Sequence, residues 1–272
     1  MLGVFDSGVG GLSVLRALRV RLPAQSAIFV ADQAHVPYGP RSLDEVRGFS
    51  EAITRYLLAR GAQVIVVACN AASAAALHHL RRTFPAVPFV GMEPAVKPAA
   101  ESTHTGVVGV LATPATFQGA LYASVVERFA ADVTLLQDTC PGLVAQIEHG
   151  DLDGPGTRAI LEDALRPMLA RGMDTVVMGC THYPFVIPLI QEIAGPAVRV
   201  IDPAPAVARQ VERVLAEHGL LVKTGAPAEV RFVTSGPPEP FTALLRRLLD
   251  GCLPPPAPDA IQTVHWDGSD LI

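Results

Sequence analysis

Apolar residues in this chain gather in short continuous runs that do not alternate with polar residues. The clearest runs lie at 64–67 and 175–178, both rich in Val. A continuous β-branched run of this length is typical of a strand buried on both faces of a parallel sheet. Segments of helical character follow the runs, and this alternation predicts an α/β fold with parallel sheets.

The same pattern predicts strands and helices along the whole chain. Further strands are expected at 3–5, 27–31, 89–92, 106–111, 133–136, 198–201 and 229–234. Helices are expected after the glycine-rich turn at 8–11, at 42–60, from 70 to about 83, up to about 129, briefly within 140–150, at 157–171, from about 184, at 202–218 and at 238–250. Ser42 and Glu45 form a capping box that marks the second helix. The proline-rich tail at 254–258 is expected to be irregular.

Two of the runs lead directly into cysteines, Cys69 and Cys180. Their surroundings align without a gap at a separation of 111 residues, which indicates two similar halves with one thiol each. Each cysteine is predicted to lie just past the carboxyl end of a central strand, where open α/β sheets bind ligands. An expected crossing at 92–98 divides the chain into a first domain of residues 1–95 with 207–272 and a second domain of residues 96–206.

Composition narrows the class of protein. The chain has 272 residues, half of them apolar, and a net charge of −5, which gives no electrostatic case for binding nucleic acid or an anionic membrane. No apolar run is long enough to span a membrane, and no basic leader precedes the first strand. Four cysteines in a chain of this length do not suggest a disulfide framework, so a reducing cytoplasm is expected.

The segment from Asp6 to Gly11 follows the first strand and opens a helix. Its glycines allow backbone N–H groups to approach a ligand, and a helix N-terminus favours an anion. A dinucleotide fingerprint would need glycine at Ser13, and a phosphate-binding loop would need a lysine that the segment lacks. The anion could be a phosphate or a carboxylate.

Two thiols that face one pocket suit a particular kind of chemistry. A thiolate is a nucleophile and also a usable base. The reference pKa of a cysteine thiol is about 8.5, and a helix N-terminus lowers that pKa. If one cysteine removes a proton from a carbon and the other returns one from the opposite face, the configuration of that carbon inverts. This reaction requires no cofactor and no metal.

Four motifs carry a resemblance to a known family: FDSGVGGLSV at 5–14, PYGPRS at 37–42, VVACNAASA at 66–74 and GCTHYP at 179–184. Together they resemble the cofactor-independent glutamate racemases of the aspartate/glutamate racemase superfamily, and the resemblance extends over nearly the whole chain. It implies that Cys69 and Cys180 transfer the protons, that Asp6 assists Cys69, and that His182 assists Cys180. It also implies two doubly wound α/β domains related by pseudo-twofold symmetry, with the active site between them.

The resemblance implies further features of the site and of the protein. Binding of glutamate is assigned to Asp6, Ser7, Pro37, Tyr38, Gly39, Asn70, Ala71, Thr116, Thr181 and His182, with Glu148 as a further candidate near the pocket. Backbone N–H groups are expected to hold much of the dianionic substrate. The expected protein is a cytoplasmic homodimer without cofactor that supplies D-glutamate for peptidoglycan.

The chain departs from the family pattern at three positions. Ala71 stands where the family usually has Thr, so one hydroxyl contact to the substrate is lost. Ala112 replaces a usual Gly and Gly119 a usual Ser, which is expected to alter packing only. The chain begins at its first strand, and we therefore expect no activation by a cell-wall precursor.

Other interpretations compete with this one. An aspartate racemase would share most of the site, whereas a sugar-kinase-like phosphate-binding protein would use only the glycine-rich turn. A non-catalytic binding protein of the same fold would not need both cysteines. Zinc could bind Cys69, Cys180 and His182, although the spacing lacks a second close pair. Asp6 could be only a helix cap, and Cys140 and Cys252 are interpreted as structural.

Overall fold

Ten strands in the described part of the chain form two parallel sheets, and two more form a short antiparallel hairpin. The computed structural model describes residues 1–249 and 261–272. The strands are β1 (Leu2–Asp6), β2 (Ala27–Ala31), β3 (Val64–Val67), β4 (Phe89–Gly91), β5 (Val107–Ala112), β6 (Thr134–Asp138), β7 (Thr175–Gly179), β8 (Arg199–Ile201), β9 (Val230–Thr234), β10 (Ile261–Thr263), β11 (Trp266–Asp267) and β12 (Asp270–Leu271).

Helices connect the strands of both sheets. They are α1 (Leu12–Arg21), α2 (Leu43–Ala59), α3 (Asn70–Thr83), α4 (Val96–Ser102), α5 (Pro114–Gln118), α6 (Ala120–Phe129), α7 (Leu143–Glu148), α8 (Pro155–Ala170), α9 (Ile187–Ala194), α10 (Ala204–Glu217) and α11 (Pro238–Leu248), with a 3₁₀ turn at Tyr183–Val186. The predicted capping box is present, because the Glu45 N–H donates to the Ser42 hydroxyl and the Ser42 N–H donates to the Glu45 carboxylate.

The two sheets repeat one strand order. The large sheet runs β10-β9-β2-β1-β3-β4, and the small sheet runs β6-β5-β7-β8. The first four strands of each sheet therefore lie in the order second, first, third, fourth. This order reverses direction between β1 and β3 and between β5 and β7, and such switch points are where open α/β sheets form ligand crevices.

The continuous apolar runs form central strands, as predicted. Every residue of β1, β2, β3 and β7 is buried, which explains why these runs show no alternation of apolar and polar residues. Two parallel sheets in an α/β fold confirm the predicted fold class. Strands β1–β4, β9 and β10 share one sheet, and β5–β8 form the other. The division into residues 1–95 with 207–272 and residues 96–206 stays a prediction.

Several elements differ from the prediction. The segment at 92–98, where a crossing between domains was expected, contains the start of α4. Pro98 lies in the first turn of this helix, where a proline costs no hydrogen bond. The helix expected from about residue 184 begins as the 3₁₀ turn, and α9 starts at Ile187. The pattern also missed β10, β11 and β12, which are short and half exposed. Residue 250, Cys252 and the predicted irregular tail at 254–258 lie outside the described residues.

No helix within residues 1–249 and 261–272 combines the length and the apolar character that a membrane span requires.

Candidate active site

Cys69 and Cys180 line one small cavity where the loops that follow the strands of both sheets meet. Its volume is about 20 Å³, which is room for about one water molecule. The two cysteines expose only 5% and 6% of their surface. The lining residues are Ser7, Pro37, Tyr38, Gly39, Cys69, Asn70, Ala71, Thr113, Val144, Cys180, Thr181 and His182. Any ligand larger than water requires the cavity to widen.

Cys69 caps the N-terminus of α3. Its Sγ accepts a hydrogen bond from the backbone N–H of Ala72 at 3.5 Å and lies 4.0 Å from the Ser7 hydroxyl. The helix terminus favours negative charge on the sulfur. Burial and, next, the carboxylate of Asp6 oppose this effect and raise the pKa of the Cys69 thiol well above its usual value. The protonated thiol is therefore the favoured form of Cys69.

His182 connects Cys180 to Glu148 through its two ring nitrogens. Its Nδ1 lies 3.7 Å from Cys180 Sγ, and its Nε2 lies 2.6 Å from Glu148 Oε1. Burial by itself lowers the pKa of His182, but hydrogen bonds to Cys180 and Glu148 outweigh it and raise that pKa well above the usual value. Burial likewise raises the pKa of Glu148, but the hydrogen bond and charge of His182, together with the hydrogen bonds from Val9 and Gln33, outweigh burial and leave that pKa below the usual value. A charged imidazole between a sulfur and a carboxylate is the favoured state.

Asp6 links the two halves of the site. Its Oδ1 accepts a hydrogen bond from the Thr181 hydroxyl at 3.1 Å, and its Oδ2 accepts one from the Gly8 N–H at 3.0 Å. Burial raises the pKa of Asp6, and the nearby His182 and Gly8 offset this only in part. The N-cap residue of α1 is Gly11, and it has no side-chain cap hydrogen bond. Asp6 therefore does more than the helix cap that the alternative interpretation allowed.

The glycine-rich turn contacts a carboxylate of the protein itself. The backbone N–H of Val9 donates to Glu148 Oε1 at 2.8 Å. A Cβ atom at Gly8 would collide with Glu148, and one at Gly10 would collide with the ring of His182. Glycine at these two positions allows the turn to lie against the small-sheet side of the site. The ligand anion predicted for this turn stays a prediction.

A buried carboxylate, Asp32, holds the loop that carries Tyr38. The Tyr38 hydroxyl donates to Asp32 Oδ2 at 2.6 Å, while Ser235 and the Trp266 indole N–H donate to Oδ1 at 2.7 and 2.8 Å. Burial and, next, the charge of Asp32 raise the pKa of Tyr38 well above its usual value. The Val36–Pro37 peptide bond is cis. The hydrogen bond to Asp32 holds the ring of Tyr38 against the cavity.

The structure brings most of the predicted residues together and places three of them behind the lining. Ser7, Pro37, Tyr38, Gly39, Asn70, Ala71, Thr181 and His182 line the cavity with both cysteines. Asp6 and Glu148 instead contact the lining residues Thr181 and His182. The hydroxyl of Thr116 lies 3.3 Å from the hydroxyl of Thr113. Both oxygen and nitrogen of the buried Asn70 amide lack a protein partner among the described residues.

Two lining residues, Thr113 and Val144, were missed by the sequence prediction. Thr113 directly follows β5, so its position at the carboxyl end of a central strand was a usable signal. Val144 lies on α7, and no local pattern distinguishes it from an ordinary apolar helix residue.

The alternative interpretation placed zinc on Cys69, Cys180 and His182. Within the described ranges, no three side chains of the types His, Cys, Asp or Glu are grouped so as to hold a metal ion.

This chain is similar to known proteins over most of its length. The family model Asp/Glu/Hydantoin racemase matches residues 12–211. A glutamate racemase of Pseudomonas paraeruginosa is 55% identical over 243 residues, which are 89% of this chain and 91% of the relative. The solved structure of a glutamate racemase isoform from Bacillus anthracis has a TM-score of 0.86 at 30% identity, covering 99% of this chain and 98% of that one. The Escherichia coli glutamate racemase, solved with L-glutamate and activator UDP-MurNAc-ala, has a TM-score of 0.83 at 30% identity and covers 98% of both chains.

The fold, the paired cysteines and these matches define a class of enzyme. The chain belongs to the Asp/Glu/Hydantoin racemase family. It is an amino-acid racemase, an isomerase, and its predicted resemblance to glutamate racemases is confirmed. The sugar-kinase-like and non-catalytic alternatives are not supported.

Proposed function

We propose that this protein interconverts L- and D-glutamate by proton transfer at the α-carbon between Cys69 and Cys180. The single observation that carries the proposal is that both thiols line one buried cavity, each at the end of a central strand of a different sheet. The name shared by the similar proteins, glutamate racemase, supports glutamate as the substrate.

The two cysteines have unequal surroundings, and this suits opposite tasks. Cys180 lies beside the charged imidazole of His182, which stabilises a thiolate and makes it a base. Cys69 lies near the carboxyl group of Asp6, which disfavours a second negative charge and keeps the thiol protonated. In one direction, the Cys180 thiolate removes the α-proton and the Cys69 thiol protonates the carbanion from the other face.

The reverse reaction exchanges these roles. After one turnover Cys180 carries the proton and Cys69 is the thiolate, which is the state required to deprotonate the product enantiomer. Asp6 beside Cys69 and His182 beside Cys180 return the protons to the starting arrangement. The proton count balances, because one proton leaves the α-carbon and one arrives.

Groups that surround the cavity supply the contacts for a dianionic amino acid. The Asn70 side-chain amide points into buried space without a protein partner, which is expected of a group that binds a ligand. Asn70 is also the first residue of α3, so backbone N–H groups of that helix terminus are available to a carboxylate. Ala71, which replaces the usual Thr, offers only its backbone N–H there. The Ser7 hydroxyl adds a donor beside the Cys69 sulfur, and the Thr181 hydroxyl, whose hydrogen goes to Asp6, offers its oxygen as an acceptor.

The remaining predictions about the protein extend the same proposal. The D-glutamate produced supplies peptidoglycan synthesis in the cytoplasm, and the active protein is a homodimer. Proton transfer between two thiols uses no cofactor.

Circular dichroism in deuterated water tests the proposed function directly. Purified protein is incubated with L-glutamate and, separately, with D-glutamate. Loss of the signal from both enantiomers, with deuterium at the α-carbon of the product, is the expected result. No signal loss with glutamate combined with loss from L- and D-aspartate would contradict the assignment and favour an aspartate racemase.

A further inference from the structure

A continuous line of hydrogen bonds runs from the large sheet to Cys180, and Gln33 lies in its middle. The Gln33 amide nitrogen Nε2 is 3.2 Å from Glu148 Oε2, and its oxygen Oε1 accepts the Thr234 hydroxyl at 3.0 Å. The Gly236 N–H donates to the same Thr234 hydroxyl oxygen at 3.0 Å. From Glu148 the line continues through His182 to Cys180.

The chemistry of the partners fixes the orientation of the Gln33 amide. A carboxylate only accepts hydrogen bonds, so the NH₂ group of Gln33 has to face Glu148. The hydroxyl of Thr234 then donates to the amide oxygen. Gln33 therefore connects β9, through Thr234, to a carboxylate that belongs to α7 beside the small sheet.

We propose that Gln33 is a positioning residue for proton transfer at Cys180, acting through Glu148 and His182. This inference rests on the proposed two-cysteine racemisation. The terminal torsion of a Glu side chain is broad, so its carboxylate plane requires partners on both oxygens to be fixed. Val9 and His182 bind Oε1, while Gln33 binds Oε2. Without Gln33, the carboxylate turns, and the imidazole that it holds against Cys180 Sγ loses its alignment.

Because of its position, Gln33 is expected to affect only one of the two proton transfers. Cys69 has different partners, Ala72 and Ser7, and neither belongs to this line. Loss of Gln33 should therefore raise the barrier of the step at Cys180 and leave the step at Cys69 nearly unchanged. The equilibrium between enantiomers fixes the ratio of kcat/KM in the two directions, so the asymmetry has to be measured with isotope effects.

The decisive experiment compares primary deuterium isotope effects for α-deuterated L- and D-glutamate in Gln33→Ala. Turnover should fall by about tenfold, less than the roughly 100-fold cost of a full 1 Å misplacement. The isotope effect should rise for the enantiomer that Cys180 deprotonates and fall for the other. His182→Gln should change the isotope effects of the two enantiomers in the same directions as Gln33→Ala.

Two further variants sharpen the test. Gln33→Glu keeps the length of the side chain but sets a second carboxylate against Glu148, and it should lose more activity than Gln33→Ala. Thr234→Val removes the hydroxyl that holds the Gln33 oxygen, and it should give a smaller asymmetry of the same sense. If Gln33→Ala fails to fold, Thr234→Val still decides the question.

Gln137→Ala is the matched control. It also removes a glutamine side-chain hydrogen bond, of 2.8 Å to the Tyr122 hydroxyl, but that bond lies outside the line to Cys180. It should keep wild-type turnover and symmetric isotope effects. Wild-type turnover, or an equal change for both enantiomers, in folded Gln33→Ala would overturn the inference. Lack of racemisation by the unaltered protein would instead overturn the proposed function.

Discussion

The Thr181 hydroxyl donates a hydrogen bond of 3.1 Å to Asp6 Oδ1 and so joins the end of β1 in the large sheet to the residue after Cys180 in the small sheet. Both side chains are buried. This contact links the surroundings of the two sulfurs directly, without a bridging ligand. Its removal should therefore affect stability as well as activity.

Thr181→Val tests this contact. The variant keeps the shape of the side chain but leaves Asp6 Oδ1 without its donor, and a buried group that loses a partner costs about 1–3 kcal/mol. We expect the free energy of unfolding to fall by that amount in chemical denaturation. Thr54→Val is a suitable comparison, because Thr54 is buried and, among the residues that the structure describes, donates only to the helix carbonyl of Ser50. An unchanged unfolding free energy in Thr181→Val would refute the expectation.

Cys69→Ala and Cys180→Ala should each abolish racemisation while the protein stays folded. Loss of one positioned acid or base removes a factor on the order of 10²–10⁴. The measurement is the rate of loss of circular dichroism from each glutamate enantiomer, with far-ultraviolet spectra as a check of folding. Cys140→Ala is the control, because Cys140 is buried but does not line the cavity, and it should keep its activity. Substantial turnover in either single variant would contradict the two-base mechanism.

The pH dependence of both stability and activity should report the pairing of His182 with Glu148. The pKa of His182 is raised, so its contribution to stability is complete below the unfolded value of about 6.5 and is lost as pH rises through the folded value. The pKa of Glu148 is lowered, so its contribution is present above its unfolded value and is lost as pH falls through the folded one. The pair is intact between these two folded pKa values.

Glu148→Gln removes the carboxylate partner and should lower the pKa of His182. The alkaline limb of the kcat/KM profile should then move to lower pH. Nuclear magnetic resonance of ring nitrogens in labelled protein measures the titration directly, and the His182 signal should change at lower pH in the variant than in the unaltered protein. An unchanged titration would show that Glu148 does not support the imidazolium.

Gly10→Ala should damage the site by overpacking. Its new methyl group would meet the His182 ring and the Thr181 hydroxyl, and forced expansion of a packed site costs typically about 1–3 kcal/mol. Lower activity and a lower melting temperature are expected. Gly48→Ala is the control, because an added Cβ there meets nothing within 4 Å on the exposed face of α2, and it should gain about 0.5–1 kcal/mol. Equal behaviour of the two variants would rule out the steric explanation.

The strands were predictable from sequence because their burial is uniform. Runs that form β1, β3 and β7 are covered on both faces, so continuous apolar character follows directly from their position. Both cysteines were predictable because each stands immediately after such a run. A short stretch of sequence is enough to show that a residue follows the carboxyl end of a strand.

Contacts between distant segments were not predictable in the same way. Glu148 meets His182 and Val9 only because α7 docks against the glycine-rich turn, 139 residues away from it in sequence. Trp266 reaches Asp32 across 234 residues from a hairpin that is too short to leave a pattern. Asp32 anchors Tyr38, but no pattern in its local sequence marks it as an anchor.

The small size of the cavity sets a limit on how fast this enzyme can work. About 20 Å³ does not admit an amino acid, so we expect the cavity to open for each substrate and each product. Two hydrogen bonds cross between the sheets beside the cavity, Thr181 to Asp6 and Val9 to Glu148, and we expect them to oppose this opening. The frequency of this opening is an upper bound on kcat, and solvent viscosity, which slows the motion of whole domains, becomes a variable that controls the rate.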